Sequence, residues 1–504
     1  VGVARYLGAP LRQENEPVNA SFGANLNSQL GRWRVQANLN YAYRGSDSVT
    51  DRRVDTTALQ AAIDAGTVNP FAPLPADMLN TVLVDNARTR GHNTSLRLQA
   101  SGRVAELPAG NATLSVRTQI RDNRQRARTT GTNLRDTHRK QREEQVFTSL
   151  TLPLYRRAPE SFRIGSELSA SMRDVSVVGT LYNYGYGLNW GYGNRLTMRF
   201  SLNHEKVAPQ PDALTNPIVT VDDYRAYDFV RQETVLVRYI TGGNPDLKVE
   251  RRRFARLDFT LRPFQDVDFM INGEYRRVIG RNAVSGLPAV SEDVQLAFPD
   301  RYRRDDEGRL VEIDARLVSF ERTETERVRW GGNLRRNFGG AQGDNASGWR
   351  LNANFTHTWQ LSNKRLARAG LPEQDLLAGG TGTGNGQSRH DFQSRIGLSR
   401  NGIGMQTRIN WKGRATIIAG TTADPNTIVF SPLLRLDVSA FANLDSLLPQ
   451  SAMARGTRIT LGVDNVLDAK QRVRDETGAT PLRYQPYLLN ALGRTVSLSL
   501  RKAF

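Results

Sequence analysis

The sequence contains no cysteine and no long apolar run. A chain without cysteine forms neither disulfide bonds nor zinc sites built on thiolates. Only 38% of the residues are hydrophobic, and no stretch approaches the roughly 18 consecutive apolar residues that a membrane-spanning helix requires. These two absences exclude a disulfide-stapled domain and a helical membrane protein.

The sequence starts at Val1 with neither an initiator methionine nor a secretory signal. A chain exported by itself would need such a signal. We therefore expect a fragment or a processed product of a longer chain.

Aromatic residues are well represented, with 18 Phe, 15 Tyr and 6 Trp spread over regularly patterned segments. Disordered chains are poor in such residues, so disorder is an unsuitable interpretation. A transmembrane β-barrel fits the modest hydrophobicity, because only every second residue of each strand faces lipid.

The formal net charge is +19, and lysine occupies only seven positions, so 62 of the 69 basic residues are arginine. A strongly basic chain is typical of nucleic-acid-binding proteins. Here the arginines fall mainly on alternate positions of strand-like segments, opposite apolar residues, as Arg97, Arg103, Arg117 and Arg121 illustrate. This pattern predicts a basic lumen in a barrel, favours an anionic substrate, and argues against a nucleic-acid partner.

Hydrophobic and polar residues alternate with a period of two along most of the chain, which is the pattern of β-strands. In the segment 94–107, Leu96, Leu98 and Ala100 share one face, and Ser95, Arg97 and Gln99 share the other. Many such segments run well past ten residues, whereas strands of soluble proteins average about five or six. The lengths are typical of tilted membrane-spanning strands.

The connections between these segments alternate between short and long, as in outer-membrane barrels with short periplasmic turns and long extracellular loops. The long ones are predicted at about 45–89, 209–247, 284–311, 364–387 and 474–489. We predict an all-β fold, an antiparallel transmembrane β-barrel with about 16–18 strands of a probable 22. Residues 1–504 would form this one partial barrel domain.

No arrangement of residues points to catalysis, a metal or another cofactor. The five histidines are far apart in sequence and lack a metal-ligand spacing, and the glycine-rich stretch 379–386 lacks the lysine of a phosphate-binding loop. The acidic pairs 222–223 and 305–306 are interpreted as solvated loop charges, with cation contact as the alternative. We therefore expect a protein that is not an enzyme and binds no cofactor.

One long loop combines aromatic and arginine side chains, which offer large contact area and planar hydrogen bonding. The candidate ligand-contacting residues are Tyr224, Arg225, Tyr227, Phe229 and Arg231. Contact with lipopolysaccharide phosphates and simple packing within the loop remain open as alternatives.

Two sequence elements resemble the TonB-dependent outer-membrane receptors. The stretch GGNPDLKVE at 242–250 resembles that family's GNPxLKPE element, with Val249 at the position of its second proline; the matching residues are Gly243, Asn244, Pro245, Leu247, Lys248 and Glu250. The C-terminal part resembles the family's closing pattern, through Asn465, Val466, Leu467 and Asp468, then Leu492, Gly493 and Arg494. The terminal Phe504 resembles the signal that the barrel-assembly machinery reads, since an amphipathic edge strand is open to strand addition.

The resemblance implies the barrel portion of a receptor, with the N-terminal plug and the first strands absent from this chain. Its implied function is the uptake of a scarce nutrient, a siderophore, oligosaccharide or peptide, across the bacterial outer membrane. The implied partners are outer-membrane lipid and lipopolysaccharide, the barrel-assembly machinery, and the TonB complex through a plug that this chain does not contain. A passive porin-like channel and a non-functional truncated barrel are the alternatives.

Overall fold

The computed structural model describes residues 11–79, 81–131, 135–157, 162–288, 290, 292–339, 348–380, 386–420 and 425–503. The strands within these residues are β1 Gln13–Leu30, β2 Trp33–Val54, β3 Val82–Leu107, β4 Gly110–Thr130, β5 Arg135–Arg157, β6 Phe162–Val175, β7 Gly179–Tyr192, β8 Leu196–Val207, β9 Val219–Asp228, β10 Glu233–Thr241, β11 Glu250–Leu261, β12 Asp268–Arg281, β13 Ala283–Ser285, β14 Tyr302–Arg304, β15 Leu310–Asp314, β16 Val318–Phe320, β17 Arg322–Phe338, β18 Trp349–Leu366, β19 Gln374–Asp375, β20 His390–Arg400, β21 Ile403–Lys412, β22 Ala415–Gly420, β23 Pro425–Phe430, β24 Leu433–Asn443, β25 Thr457–Asp464, β26 Val473–Arg474 and β27 Thr495–Lys502.

Helices are few and short in the described part of the chain. They are α1 Thr57–Asp64, α2 Pro211–Thr215, α3 Glu292–Ala297, α4 Leu444–Leu447, α5 Pro486–Leu489, and the 3₁₀ helices Ala76–Leu79 and Leu482–Tyr484. None of the described helices has the length and apolarity needed to cross a membrane.

Seventeen long strands and the two-residue β19 form one large sheet. The seventeen are β1–β8, β11, β12, β17, β18, β20, β21, β24, β25 and β27. Strands that follow one another among these seventeen pair in antiparallel fashion, as for β1 with β2, β8 with β11, and β25 with β27. The predicted all-β antiparallel barrel fold and its strand number are confirmed.

The chain divides into two compact units. Unit 1 comprises residues 1–104, 113–149 and 171–182, and unit 2 comprises residues 105–112, 150–170 and 183–504. In unit 1, β1 pairs with β2 from Gln13 opposite Thr50 to Leu30 opposite Trp33. In unit 2, β8 pairs with β11 from Val207 opposite Glu250 to Leu196 opposite Leu261.

The large sheet exposes apolar side chains instead of covering them with a core. On β1, Val18, Phe22 and Leu26 are 58–64% exposed, and on β27 Leu498 is 75% exposed. Soluble proteins rarely expose apolar patches of this extent, whereas a barrel presents such a face to lipid. The two buried apolar clusters among the described residues lie instead in the long connections, around Phe320 and around Phe430.

The predicted alternation of short and long connections is not strict. The connection between β6 and β7 covers only 176–178, although the pattern requires a long one there, and the connection between β24 and β25 is longer than a tight turn because it contains α4. The first long loop is also shorter than predicted: it covers 55–81 instead of 45–89, because residues from Gly45 to Val54 continue to pair with β3.

Candidate functional site

The predicted ligand-contacting residues belong to a small sheet within unit 2. The long connections after β8 and after β12 supply its strands, in the order β14-β15-β10-β9, and we call it the loop sheet. Strand β9 pairs with β10 in antiparallel fashion, and β10 pairs with β15 in parallel. The two connections, which were predicted as separate long loops, therefore fold together into one element.

The loop sheet has a hydrophobic core of its own. Val237, Phe298, Tyr302, Leu310 and Phe320 are each at most 4% exposed and pack in a single cluster. Side chains from both connections contribute to this cluster, so neither connection can bury its apolar residues alone. A binding surface carried by such a packed element is held in place before a ligand arrives.

A buried ion pair ties the β9–β10 turn to the end of β14. Asp228 is fully buried, and Arg304 donates two hydrogen bonds to its carboxylate, at 2.6 and 2.8 Å. The amides of Val230 and Arg231 donate to the same carboxylate, at 3.0 and 3.3 Å. Burial by itself would raise the pKa of Asp228, but these hydrogen bonds outweigh it and lower the pKa. The carboxylate therefore stays ionised and fixes the turn.

A second acidic residue is clamped by two arginines. Asp314 accepts hydrogen bonds from Arg301 at 2.6 Å and from Arg316 at 2.9 and 2.7 Å. Burial opposes ionisation, but the hydrogen bonds from Arg316 and the positive charge of Arg301 prevail, and the pKa of Asp314 is lowered. Burial also raises the pKa of the neighbouring Tyr302 to about 12, so this phenol stays neutral. The charges of Asp314, Arg301 and Arg316 are thus paired with one another and stabilise the loop sheet.

The five predicted contact residues lie together on the β9–β10 hairpin. The Tyr224 ring stacks on Tyr239 at 4.3 Å, and the Tyr227 ring meets Phe229 edge-on at 4.9 Å. Tyr224 and Tyr227 remain 43% and 44% exposed, so the stacking leaves contact area open.

The two arginines of the set differ in their surroundings. Arg231 donates to the backbone oxygen of Glu307 at 2.7 Å and pairs with Glu233 at 3.0 Å. Arg225 is exposed, and no ion pair to it occurs among the described residues. Ligand contact by the five residues stays a prediction.

The family-like motif at 242–250 connects the two long connections to the large sheet. The Asn244 side chain, 2% exposed, donates to the backbone oxygen of Leu317 at 2.8 Å, and its own amide donates to Ala213 at 2.6 Å. A Cβ at Gly243 would lie 2.5 Å from the backbone nitrogen of Asn216, so only glycine fits there.

The rest of the motif has the same structural character. Leu247 is buried, the Lys248 amide donates to the Ser319 hydroxyl at 3.0 Å, and the nearly buried Glu250 accepts two hydrogen bonds of 2.7 Å from Arg252. The side chains of Pro245 and Lys248 are exposed. A cleft of about 620 Å³ opens beside the motif, lined among others by Gln210, Gly242, Glu250, Arg252 and Leu317.

The polar face of unit 2 carries arginines and carboxylates side by side. Arg199 pairs with Glu167 at 2.7 Å, Arg256 pairs with Glu274 at 3.0 Å, and Glu274 also pairs with Arg327 at 3.2 Å. The expected arginine lining is therefore partly neutralised by interspersed acids.

One arginine of this face stands apart from these pairs. The guanidinium of Arg276 lies over the ring of Phe254 at 5.2 Å. A cleft of about 420 Å³ on this face is lined among others by Glu167, Arg199, Phe254, Arg256 and Arg276. Its walls combine charge, amide and aromatic surface, which suits a polar ligand.

Comparison with known proteins identifies the fold. No family model and no curated protein matches the sequence. Among solved structures, the siderophore receptor PirA from Acinetobacter baumannii matches with a TM-score of 0.55 at 12% identity, over 90% of this chain and 59% of that chain. The pyoverdine outer membrane receptor FpvA from Pseudomonas aeruginosa PAO1 matches with a TM-score of 0.52 at 9% identity, over 91% and 58%. The RagAB peptide importer matches with a TM-score of 0.54 at 10% identity, over 95% and 60%.

The fold is the antiparallel β-barrel of these outer-membrane proteins. At these identities the likeness concerns the fold alone. The chain spans about three fifths of the length of the solved structures that it matches.

Unit 1 carries a further charged cleft, which was not predicted from the sequence. The cleft has a volume of about 1000 Å³, and His92 and His138 are among the residues that line it. Arg124 pairs there with Asp122 at 2.9 Å, and Arg126 with Asp136 at 3.1 Å. Because its cationic and anionic residues lie on three different strands, β3, β4 and β5, only knowledge of the strand register could have found it.

Two histidines that are far apart in sequence lie side by side in the structure. His357 and His390 stack with nitrogen atoms 3.2 Å apart, because β18 and β20 pair antiparallel and bring them to adjacent positions. Trp330 donates to the His357 ring at 2.9 Å, and Trp359 stacks on His390. Within the described residues, no group of three or more His, Cys, Asp or Glu side chains could hold a metal ion.

Two other predicted features lie partly or wholly outside the described residues. Phe504, the predicted assembly signal, is one, and the middle of the glycine-rich stretch, 381–385, is the other. The paired acids fall on elements of the loop sheet: Asp222 lies in β9 and meets Arg238 at 3.4 Å, and Asp305 meets Arg309 at 2.8 Å.

Proposed function

We propose that this chain is the barrel portion of a TonB-dependent outer-membrane receptor that binds a scarce nutrient and admits it to the cell. The observation that carries the proposal is a seventeen-stranded antiparallel sheet with an exposed apolar face. A siderophore receptor and a peptide importer share this fold. The motif at 242–250 supports the same family. The hydrogen bonds of Asn244 to both long connections support an anchoring role for this motif.

The loop sheet is the proposed first contact for the nutrient. Its core and its buried ion pairs hold Tyr224, Arg225 and Tyr227 in place, so little ordering entropy would be lost on binding. The polar face of unit 2 would then offer charged and amide groups along the path of the nutrient. No bond of the nutrient is made or broken in such a process, so the proposed function is binding and transport without catalysis.

The proposed partners follow from this location. The exposed apolar side chains of the large sheet would contact outer-membrane lipid and lipopolysaccharide, and the barrel-assembly machinery would insert the protein. Energy for uptake would come from the TonB complex, acting through a plug domain. The nutrient is a siderophore, an oligosaccharide or a peptide.

Uptake by cells that make the receptor tests the proposal. Three radiolabelled probes, a ferric siderophore, a maltooligosaccharide and a short peptide, are offered to cells with and without the gene, each with and without TonB. At least one probe is expected to accumulate only when both are present, and an uncoupler that collapses the proton gradient should abolish that accumulation. Accumulation that survives loss of TonB and of the gradient would contradict this mechanism and favour the passive channel.

A further inference from the structure

Strand β9 is the open edge of the loop sheet. The sheet order ends with β9, whose one partner among the described residues is β10. Residues 219–225 of this strand are all exposed, and so is Tyr227. An edge strand presents a row of unpaired backbone N–H and C=O groups, which is a template for another extended chain.

The edge is interrupted in a way that limits its length. The pairing with β10 shifts between Val237 and Tyr239, and opposite this bulge Asp223 adopts a positive φ of 56°. Bulges and charged residues on an edge protect proteins against open-ended sheet growth. Beyond the bulge a short regular stretch begins at Tyr224, and Gln295 closes its far end: the Gln295 side chain donates to the Tyr227 carbonyl at 3.1 Å and accepts from the Phe229 amide at 3.0 Å. An added strand would therefore pair with the edge around Arg225, on the open side of Gln295.

The remaining stretch is rigid. Asp228 at its end is locked by Arg304, and Ala226 packs against the buried cluster of the loop sheet. A template that is already ordered loses little entropy when a peptide adds to it.

The side chains of this stretch offer chemistry to both faces of an added strand. Because successive side chains of a strand point to opposite faces, Tyr224 lies on one face, and Arg225 and Tyr227 lie on the other. The two tyrosine rings are held by Tyr239 and Phe229 and keep over 40% of their surface exposed. Arg225, without an ion pair among the described residues, suits a carboxylate.

We propose that the loop sheet binds an extended peptide as an additional strand along β9, with an acidic side chain of the peptide against Arg225. This inference rests on the proposed receptor function and names the class of its ligand. A siderophore or an oligosaccharide lacks the regular backbone N–H and C=O groups that an edge strand pairs with, so the open edge favours a peptide.

The direct test uses fluorescein-labelled hexapeptides and the purified full chain in detergent, with fluorescence anisotropy as the readout. The probes are Thr-Xaa-Glu-Xaa-Thr-Xaa with Xaa as Val, Leu or Tyr. Each is compared with two N-methylated forms, which carry methyl groups on one or the other alternate set of amides. Only one alternate set of amides can face β9, so one methylated form should bind at least about tenfold more weakly and the other like the parent. Equal binding of both forms, or no binding of any probe to folded protein, would overturn the proposal.

Removal of the charge from each partner in turn tests the role of Arg225. Replacing the peptide Glu by Gln should weaken binding about two- to fivefold in the native protein and leave it unchanged in Arg225→Gln, as expected for an exposed ion pair. Arg303→Gln, an exposed arginine on the opposite edge of the loop sheet, is the matched control and should retain the full effect of the Glu. An equal loss in Arg225→Gln and in the native protein would remove Arg225 from the site.

The same preparation separates this inference from the proposed function. Folded barrel is recognised by its altered gel mobility before and after heating. If the protein folds, resides in the outer membrane and still binds no extended peptide, the strand-addition proposal fails and the receptor proposal stands. If the protein is absent from the outer membrane, the receptor proposal itself fails.

Discussion

At the scale of single residues, two buried ion pairs of the loop sheet show how burial decides what an acidic residue does. Asp228 and Asp314 are buried and hydrogen-bonded to arginines, whereas Asp222 on the same hairpin is 75% exposed. Nothing in the sequence separates these aspartates, since each has arginines nearby in the chain. They differ in how far they are buried, and their burial depends on how two distant connections fold together.

Asp228→Asn should therefore destabilise the loop sheet. The substitution leaves the partly buried Arg304 without its counter-charge, and breaking a buried pair in this way costs about 3–5 kcal/mol. Limited proteolysis of the folded barrel should show faster cleavage within 208–249, while the large sheet stays intact. Asp222→Asn is the matched control and should not change the cleavage rate; equal rates in the two variants would contradict the buried pair.

The loop sheet should also resist mild acid. Because the pKa values of Asp228 and Asp314 are lowered from the ordinary 3.8, their ion pairs contribute fully above that value and are lost only as the pH falls through the lower folded values. Hydrogen exchange of β9 and β10 should therefore show equal protection at pH 7 and pH 5, once corrected for intrinsic rates. Loss of protection already between pH 7 and pH 5 would contradict this assignment.

Gly243 is irreplaceable for a steric reason. A methyl group there would approach the backbone of Asn216 and of Leu214, which cannot move aside as a flexible side chain would. Gly243→Ala should cost about 1–3 kcal/mol, as overpacking does elsewhere, and should accelerate proteolysis of the loops. Gly286→Ala, where an added Cβ meets nothing within 4 Å, should behave like the native protein.

At the scale of elements, the strands of the large sheet could be predicted and the loop sheet could not. Alternation over ten or more residues identifies a strand whatever its neighbours are, so the segment 94–107 of β3 was recognisable from its own residues. Strands β14, β15 and β16 have three to five residues each. Strands β14 and β16 pair with β15 and β13 of their own connection, and β15 also pairs with β10 of the other connection. Their sequence carries too few alternating positions to be read alone.

The same substitution should destabilise the folded barrel at one position of a strand and be tolerated at the next. Leu98 in β3 lies on the apolar face and is 46% exposed, and Gln99 lies on the other face. In a bilayer, Leu98→Arg should cost about 2–4 kcal/mol near the midplane, whereas Gln99→Arg should be tolerated. The urea midpoint of folding into lipid vesicles measures both. Equal effects would show that the apolar face does not meet lipid.

At the scale of the whole molecule, the sequence supported the fold class and the strand number, and it left the site incomplete. The predicted contact residues proved to be neighbours because 224–231 is one local hairpin. The clefts on the polar face and in unit 1 draw on strands far apart in sequence, such as β2 and β5, or β6 and β12. Their composition follows from strand register, which the sequence pattern does not fix.

The most direct test of the central claim is the sidedness of the protein in intact cells. The chain has no cysteine, so Glu307→Cys, in a long connection, and Asp266→Cys, in the short connection at the other end of β12, each introduce a unique thiol. A membrane-impermeant maleimide should label Glu307→Cys in intact cells, and should label Asp266→Cys only after the outer membrane is permeabilised. Equal labelling of both in intact cells, or recovery of the protein in the soluble fraction, would contradict an outer-membrane receptor barrel.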